Sequence, residues 1–488
     1  MLWSVLLLPL AGAALSMVCT SARAVMAAVR AGVLLTAAAA AGCIWAAHGV
    51  PAVETAWAWL RLDALSSYHL GVMMLVFTLS SLYLPGYFDA EAKSGHFTAA
   101  QARRFGALWF GALAAMGLVL LSNNIGIMWV GIEATTLVTA FLICIHRSPA
   151  ALEAMWKYLI ICSVGVAFAF MGTLLAGAAA EHLHLEGAQM LLWSRLCENA
   201  ARLDPALMKV AFLFLLVGYG TKAGLAPMHS WLPDAHSQAP GPVSALFSGF
   251  MLNASLYCIM RYLPLVDAAT GHTGWGPRLV LLLGLISIAV AAVFILFQTD
   301  LKRLLAYSSV EHMGIIAVGL GLGGPGILAA LFHTLNHSLC KPMAFFAAGR
   351  LGQQYGTHDT ARLSGCLRGA PVWGRALFGS LLAVIGVAPF AVFMSEFMIL
   401  RAAARSGAWW TLGIFLAGVG VVFIGVLRQA ISMAWGEPAI EPEQEQVRPT
   451  DRVMIIAALG TLLVLGLWFP ETLAGMLGRA SSIVEGRP

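Results

Sequence analysis

Runs of about twenty apolar residues recur along this chain of 488 residues, and no other feature constrains its fold so tightly. Wound as an α-helix at about 1.5 Å per residue, each run crosses a hydrocarbon core of about 30 Å. The runs are continuous rather than alternating, which makes them helices and not barrel strands. Only 10% of the residues are charged while 60% are hydrophobic. A soluble domain carries about 25% charged residues to face water, so most of this surface faces something apolar.

The sequence therefore predicts an all-α, polytopic membrane protein of about fourteen transmembrane helices. The stretches are 2–20, 28–47, 66–85, 105–121, 125–145, 153–178, 206–228, 241–263, 276–297, 303–322, 326–349, 374–400, 408–433 and 453–477. The first lacks a preceding basic residue and a second follows closely, so it reads as a helix of the mature protein rather than a signal peptide. No soluble domain fits between the spans, and Gly436–Arg452, with four glutamates, reads as a solvated loop. With the N-terminus outside, the inner loops collect sixteen of the 28 Lys and Arg residues and the outer side ten. That bias predicts both termini outside. It also accounts for the formal charge of +5 without a nucleic-acid partner. The eight cysteines are scattered with no CxxC, which argues against an iron–sulfur cluster, a structural zinc or a disulfide framework. No Walker loop or dinucleotide fingerprint occurs. No cofactor or metal is expected on this chain.

Two basic residues, Lys222 and Lys341, remain outside that tally because they fall within spans. Glu133, Glu311, His312, His333, His337 and Glu396 join them at membrane depth. A charge at the bilayer centre costs roughly 2.5–3.5 kcal/mol on insertion scales, so eight ionisable groups there are a heavy penalty unless paired, hydrated or used. Helix–helix contacts explain one such group as well as function does; eight along one chain favour function.

Glu133 sits mid-helix between small residues that let a neighbouring helix approach. Lys222 stands among Gly218, Gly220 and Gly224, ahead of Pro227 and Pro233, where a regular helix is hard to sustain. An interrupted helix at membrane depth is tolerated where protein or water satisfies its free backbone groups. His229, Asp234 and His236 follow the break; an aqueous funnel for proton uptake, or a capping role, fits them better than a metal site. His333, His337 and Lys341 are spaced i, i+4, i+8 and share one helix face, a file that water can join. Glu396 follows a second interruption at Gly386 and Pro389. Two similar halves emerge, spans 4–8 and 9–13, readable as inverted five-helix repeats that each contain a broken helix. The domains are then 1–104 (helices 1–3), 105–263 (repeat one), 264–435 (repeat two) and 436–488 (loop and last helix).

The segment Gly-Thr-Lys-Ala-Gly-Leu-Ala-Pro-Met-His-Ser-Trp-Leu-Pro-Asp-Ala-His-Ser-Gln-Ala-Pro from Gly220, the stretch Asp300–Gly314 and Phe332–Lys341 resemble motifs of the proton-translocating antiporter-like family. That family comprises the L, M and N subunits of respiratory complex I, the Mrp antiporters and group 4 [NiFe] hydrogenases, and the details are most similar to its hydrogenase-4 component F branch. The resemblance implies a switching ion pair of Glu133 with Lys222, a relay through His333, His337 and Lys341 supported by Glu311 and His312, and an outlet at Glu396. It implies a subunit that moves H⁺ or Na⁺ when partner subunits bearing iron–sulfur clusters and a NiFe centre transfer electrons. Other membrane-arm subunits and a peripheral redox arm would be its partners. Two other readings are an inorganic-carbon uptake or Mrp-type exchanger subunit, and a purely structural subunit. In one place the chain departs from the pattern: where complex I relatives carry a basic residue after the break it has Ser248, so the link from Lys222 to His333 must run through water, Asn253 or a neighbour.

Overall fold

The computed structural model describes residues 1–93, 95, 97–183, 187–438 and 440–487. Helices α1 (Leu2–Val18) and α2 (Ala22–Ala46) lead to a hairpin of β1 (Ala52–Glu54) and β2 (Arg61–Asp63), antiparallel with Val53 opposite Leu62. Next come α3 (Ala64–Lys93), α4 (Ala99–Leu121), α5 (Ile125–Ile143), α6 (Pro149–Ala178) and the short α7 (Trp193–Glu198). The first interrupted span follows as α8 (Pro205–Ala223) and α9 (Trp231–Gln238). One continuous rod is made of α10 (Gly241–Leu246), a π-helical turn (Phe247–Met251) and α11 (Leu252–Ala269). Then come α12 (Trp275–Ile295), α13 (Leu301–Leu322), α14 (Pro325–Tyr355) and the short α15 (Cys366–Gly369). The second interrupted span is α16 (Pro371–Val384) with α17 (Ala391–Arg405), followed by α18 (Trp409–Ala434), α19 (Pro449–Leu467) and α20 (Glu471–Val484).

Every expected stretch falls on helix. Eleven helices among the described residues are long and apolar enough to cross a membrane. The other stretches are α1, which is short; α14, which carries His333, Asn336, His337 and Lys341; and α16–α17, which is interrupted. The stretch 453–477 divides at Trp468–Pro470 into α19 and α20, because proline cannot continue the helix before it. Turns are set by side-chain caps. The Asn124 side chain accepts from the Gly126 and Ile127 N–H groups at 2.9 and 3.1 Å, and that of Asp204 accepts from Leu207 N–H at 2.8 Å with Pro205 in the first turn. In the loop after α18, Glu437, Glu441 and Glu443 are exposed and Glu445 is half-buried. Glu445 accepts from the N–H groups of Val372 and Trp373 at 3.0 and 2.9 Å, capping α16.

The rod Gly241–Ala269 and helix α13 are almost wholly buried and form the centre, with α14 against both. Outside them, α2, α6, α12, α18 and α19 expose Leu35, Ile160, Val293, Ile424 and Ile456. Exposed tryptophans mark helix ends: Trp45, Trp409, Trp410, Trp435 and Trp468, an arrangement suited to the two bilayer interfaces.

Helices α6 and α8 touch backbone to backbone. A Cβ on Gly218 would lie 2.5 Å from Ala169 N and 2.6 Å from Gly165 O. Gly218→Leu must force the pair apart one turn before Lys222. Thermal unfolding in detergent is expected to show a loss of about 1–3 kcal/mol.

Candidate functional site

The break after α8 is built by Gly224, which ends the helix in the left-handed region at φ 74°. Lys222 lies in the turn just before it, fully buried. Its ammonium donates to Thr136 Oγ1 at 3.0 Å and to the Tyr158 hydroxyl, and sits 4.6 Å from the centre of the Tyr158 ring. Tyr158 also meets Thr139 Oγ1 at 2.6 Å. Glu133 lies one turn from Thr136 on α5; the Ser163 hydroxyl donates to its Oε1 at 3.4 Å, and its Oε2 is buried without a partner. No ion pair within 4.0 Å joins Glu133 to Lys222 among the described residues. The expected contact is therefore open here, and Tyr158 and Thr136 hold the ammonium in place of the carboxylate.

The three residues after the break separate. Asp234 pairs with Lys157 at 3.1 Å and Arg303 at 2.5 Å, and buried Lys302 donates to Ser237 O at 2.9 Å. These contacts pin α9 to α6 and α13. His229 lies beside Phe294 and Tyr307, away from both. His236 has no solvent exposure at all. Its ring stacks on Phe345 at 4.8 Å and meets Phe247 at 6.1 Å, and both ring nitrogens are buried without partners. Lys341 and His337 lie within its electrostatic reach.

On α14 the i, i+4, i+8 face is buried throughout. Lys341 donates to Leu305 O at 2.9 Å and to Ser308 Oγ. The His337 ring lies 5.1 Å from that of His312, and neither His337 nitrogen has a partner. His312 Nδ1 meets His333 Nε2 at 2.8 Å, and His333 Nδ1 meets Ser395 Oγ at 2.9 Å. The next residue is Glu396, buried on α17 with its carboxylate against Gly386, the glycine of the second break at φ 66°. A Cβ at position 386 would collide with that carboxylate, so this break fits glycine for two reasons. Glu311, also buried, lies within reach of Glu396 and Lys341.

Ser248 falls on the π-helical turn and shares a 2.7 Å hydrogen bond with Ser309 Oγ. Asn253 donates to Gly249 O at 3.1 Å and Ser338 Oγ at 3.0 Å, leaving its carbonyl unpartnered. Among the described residues His312, His333 and Glu396 also form a group with metal-ligand spacing. Sequence reasoning missed Tyr158, Thr136, Ser308 and Ser395, because hydroxyls in apolar helices carry no signal of their own. It also missed a second buried ion pair. Arg261, counted with the outer-side cations, is buried on α11 and holds Asp63 at 2.6 and 2.8 Å.

These features define a multi-pass helical membrane protein organised round a buried line of ionisable side chains. A family model described as NADH:quinone oxidoreductase/Mrp antiporter, TM, matches residues 122–423. A hydrogenase-4 component F homolog from Methylacidiphilum infernorum is 41% identical over 364 residues, covering 74% of this chain and 75% of the relative. Hydrogenase-4 component B of Escherichia coli is 30% identical over 448 residues, 87% of this chain and 64% of that longer protein. Among solved structures, the chain superposes on the archaeal membrane-bound sulfane sulfur reductase complex with a TM-score of 0.87 at 23% identity, over 99% of this chain and 97% of that one. It superposes on respiratory complex I from Thermus thermophilus with a TM-score of 0.79 at 26% identity, over 98% and 99%. The chain belongs to the NADH:quinone oxidoreductase/Mrp antiporter transmembrane family.

Proposed function

We propose that this chain is the proton-translocating, antiporter-like subunit of a redox-driven membrane complex of the complex I and group 4 hydrogenase type. The observation that carries this is the succession of ionisable groups from α5 to α17, half-buried at Glu133 and buried from Lys222 onward, few of which are neutralised by an opposite charge in contact. A subunit needing only helix–helix glue would close its ion pairs, as Asp63–Arg261 is closed. In this reading Glu133 and Lys222 form the switch, which opens when Tyr158 and Thr136 take the ammonium and closes when Glu133 does. His337, Lys341, His312 and His333 form the relay, and Glu396 the outlet toward a neighbouring membrane subunit. Partner subunits supply the iron–sulfur and NiFe chemistry, in a bacterial inner membrane with both termini outside. Residues 105–263 and 264–435 act as two inverted repeats, a division supported by one broken helix in each half, at Gly224 and at Gly386.

His236 carries the proton across the gap left at Ser248. Phe247 lies between it and Tyr158, the partner of Lys222, with ring centres 6.1 Å away on either side. The two His236 nitrogens are without partners, and Lys341 and His337 lie within its electrostatic reach. His236→Phe keeps the stack on Phe345 and removes the carrier. Proton uptake by proteoliposomes holding the intact complex is expected to fall by about a hundredfold, the lower end of what a positioned acid–base group contributes. Adding Ser248→Lys is expected to restore part of it. Undiminished coupling in His236→Phe would remove this residue from the path. Co-purification separates the wider readings: a NiFe large subunit with iron–sulfur proteins supports this one, and a carbonic-anhydrase-like partner supports inorganic-carbon uptake.

A further inference from the structure

The far end of the relay has a donor set that proton transfer alone does not require. His312, His333 and Glu396 come from three different helices, and one ligand atom of each lies within 4.8 Å of the others. All three side chains are buried, and His312 Nε2 has no hydrogen-bond partner. Two imidazoles and a carboxylate are the protein ligands of three-ligand zinc sites, which leave a fourth position to water.

The distances are near what such an ion needs. With bonds of about 2.0–2.1 Å, a tetrahedral ion sets its ligand atoms about 3.3 Å apart. The contact between His312 Nδ1 and His333 Nε2 is 2.8 Å and must open by about half an ångström, while the carboxylate moves inward. Small side-chain rotations cover both changes. The surroundings are also arranged for it. Ser395 Oγ, 2.9 Å from His333 Nδ1, fixes that ring with Nε2 turned toward His312, as outer-shell partners orient metal-bound imidazoles. On its other side the Glu396 carboxylate lies against Gly386, where a Cβ would collide with it.

We propose that His312, His333 and Glu396 form a binding site for one divalent transition-metal ion of the Zn²⁺ class, and that its occupancy closes the far end of the relay. The ion takes the place of the proton shared between His312 and His333, and any proton on Glu396 leaves to the solvent as the carboxylate becomes a ligand.

The test is a Co²⁺ titration of the full-length chain in lipid nanodiscs, read by visible absorption and by X-ray absorption at the cobalt edge. One ion per chain is expected, with a four-coordinate spectrum, two imidazole ligands and displacement by Zn²⁺. His312→Gln and Glu396→Gln should each abolish that spectrum, and Ser395→Ala should weaken binding by about 10–100-fold. His272→Gln, at an exposed histidine, should leave it unchanged. Thermal unfolding of each variant separates lost binding from lost fold. The proposal is overturned if the wild-type chain binds no Co²⁺ with that signature, or if folded His312→Gln and Glu396→Gln bind as the wild type does. Metal content is read without ion transport, so this site stands or falls separately from the translocation reading.

Discussion

Lys222→Met is expected to leave the protein folded and to reduce ion movement to the leak of the bilayer. The lysine is fully buried, and its contacts are two hydroxyls and an aromatic ring, with no carboxylate touching it. A buried charge without a contacting counter-ion costs several kcal/mol, and apolar replacements of buried charges are often neutral or stabilising by about 1–4 kcal/mol. Methionine fills the same volume and needs no partner. Thermal unfolding should therefore match or exceed the wild type while coupled proton uptake disappears. Glu133→Gln should produce the same loss of coupling although its carboxylate does not touch Lys222. The double variant should be no worse than either single one, because both changes remove one switch. Wild-type coupling in both single variants would sink the mechanism, and a large loss of stability in Lys222→Met would favour a structural lysine.

How much of this was legible in advance depends on contrast. Glu133, Lys222, His333 and Glu396 stand out because each interrupts an apolar run; the fold buries the last three and leaves Glu133 half-buried. The glycines at 224 and 386 announced the two breaks, since a helix that ends at membrane depth needs a left-handed residue there. Tyr158 and Thr136 were invisible because a hydroxyl in an apolar helix is ordinary; only the packing of α5, α6 and α8 makes them the partners of Lys222. His236 was noticed, but only as a residue after the break that could serve proton uptake or capping. Its burial became visible only with the packing of α9 against α6 and α13 and the stack of Phe345 on its ring. The Asp63–Arg261 pair could not be seen at all: the residues are 198 positions apart, and Arg261 lies where an interfacial arginine also would. Spacing along one helix is readable, while contacts between distant helices depend on how the bundle closes.

That hidden pair is where the largest loss of stability is expected. Asp63, at the end of β2, receives two parallel N–H donors from Arg261, and the Ser66 N–H donates to its Oδ1 at 3.0 Å. Arg261 also donates to the Tyr257 hydroxyl at 2.9 and 2.8 Å, and its guanidinium lies 4.4 Å from the Trp193 ring centre. Arg261→Met leaves the buried Asp63 carboxylate with only Arg61 at 3.6 Å and Ser66 beside it, so the loss should approach the ~3–5 kcal/mol of breaking a buried ion pair. Asp63→Leu combined with Arg261→Met should recover most of that loss, because neither charge then remains. Acid provides a second reading. Burial works against the charged carboxylate, but Arg261, Ser66 and Arg61 outweigh it and lower the Asp63 pKa from 3.8 to about 2. A depressed carboxylate stabilises the fold above its unfolded value and loses that contribution as pH falls through its folded one. The contribution, about 2 kcal/mol, should therefore be flat at neutral pH and disappear between about pH 4 and pH 2. Unfolding in detergent across that range should show the acid slope in the wild type and lose it in Asp63→Asn. Since Arg261 lies on the rod that also carries Phe247, Ser248 and Asn253, a failure here would loosen the centre of the relay from its outer end, whereas Lys222→Met acts on transport alone.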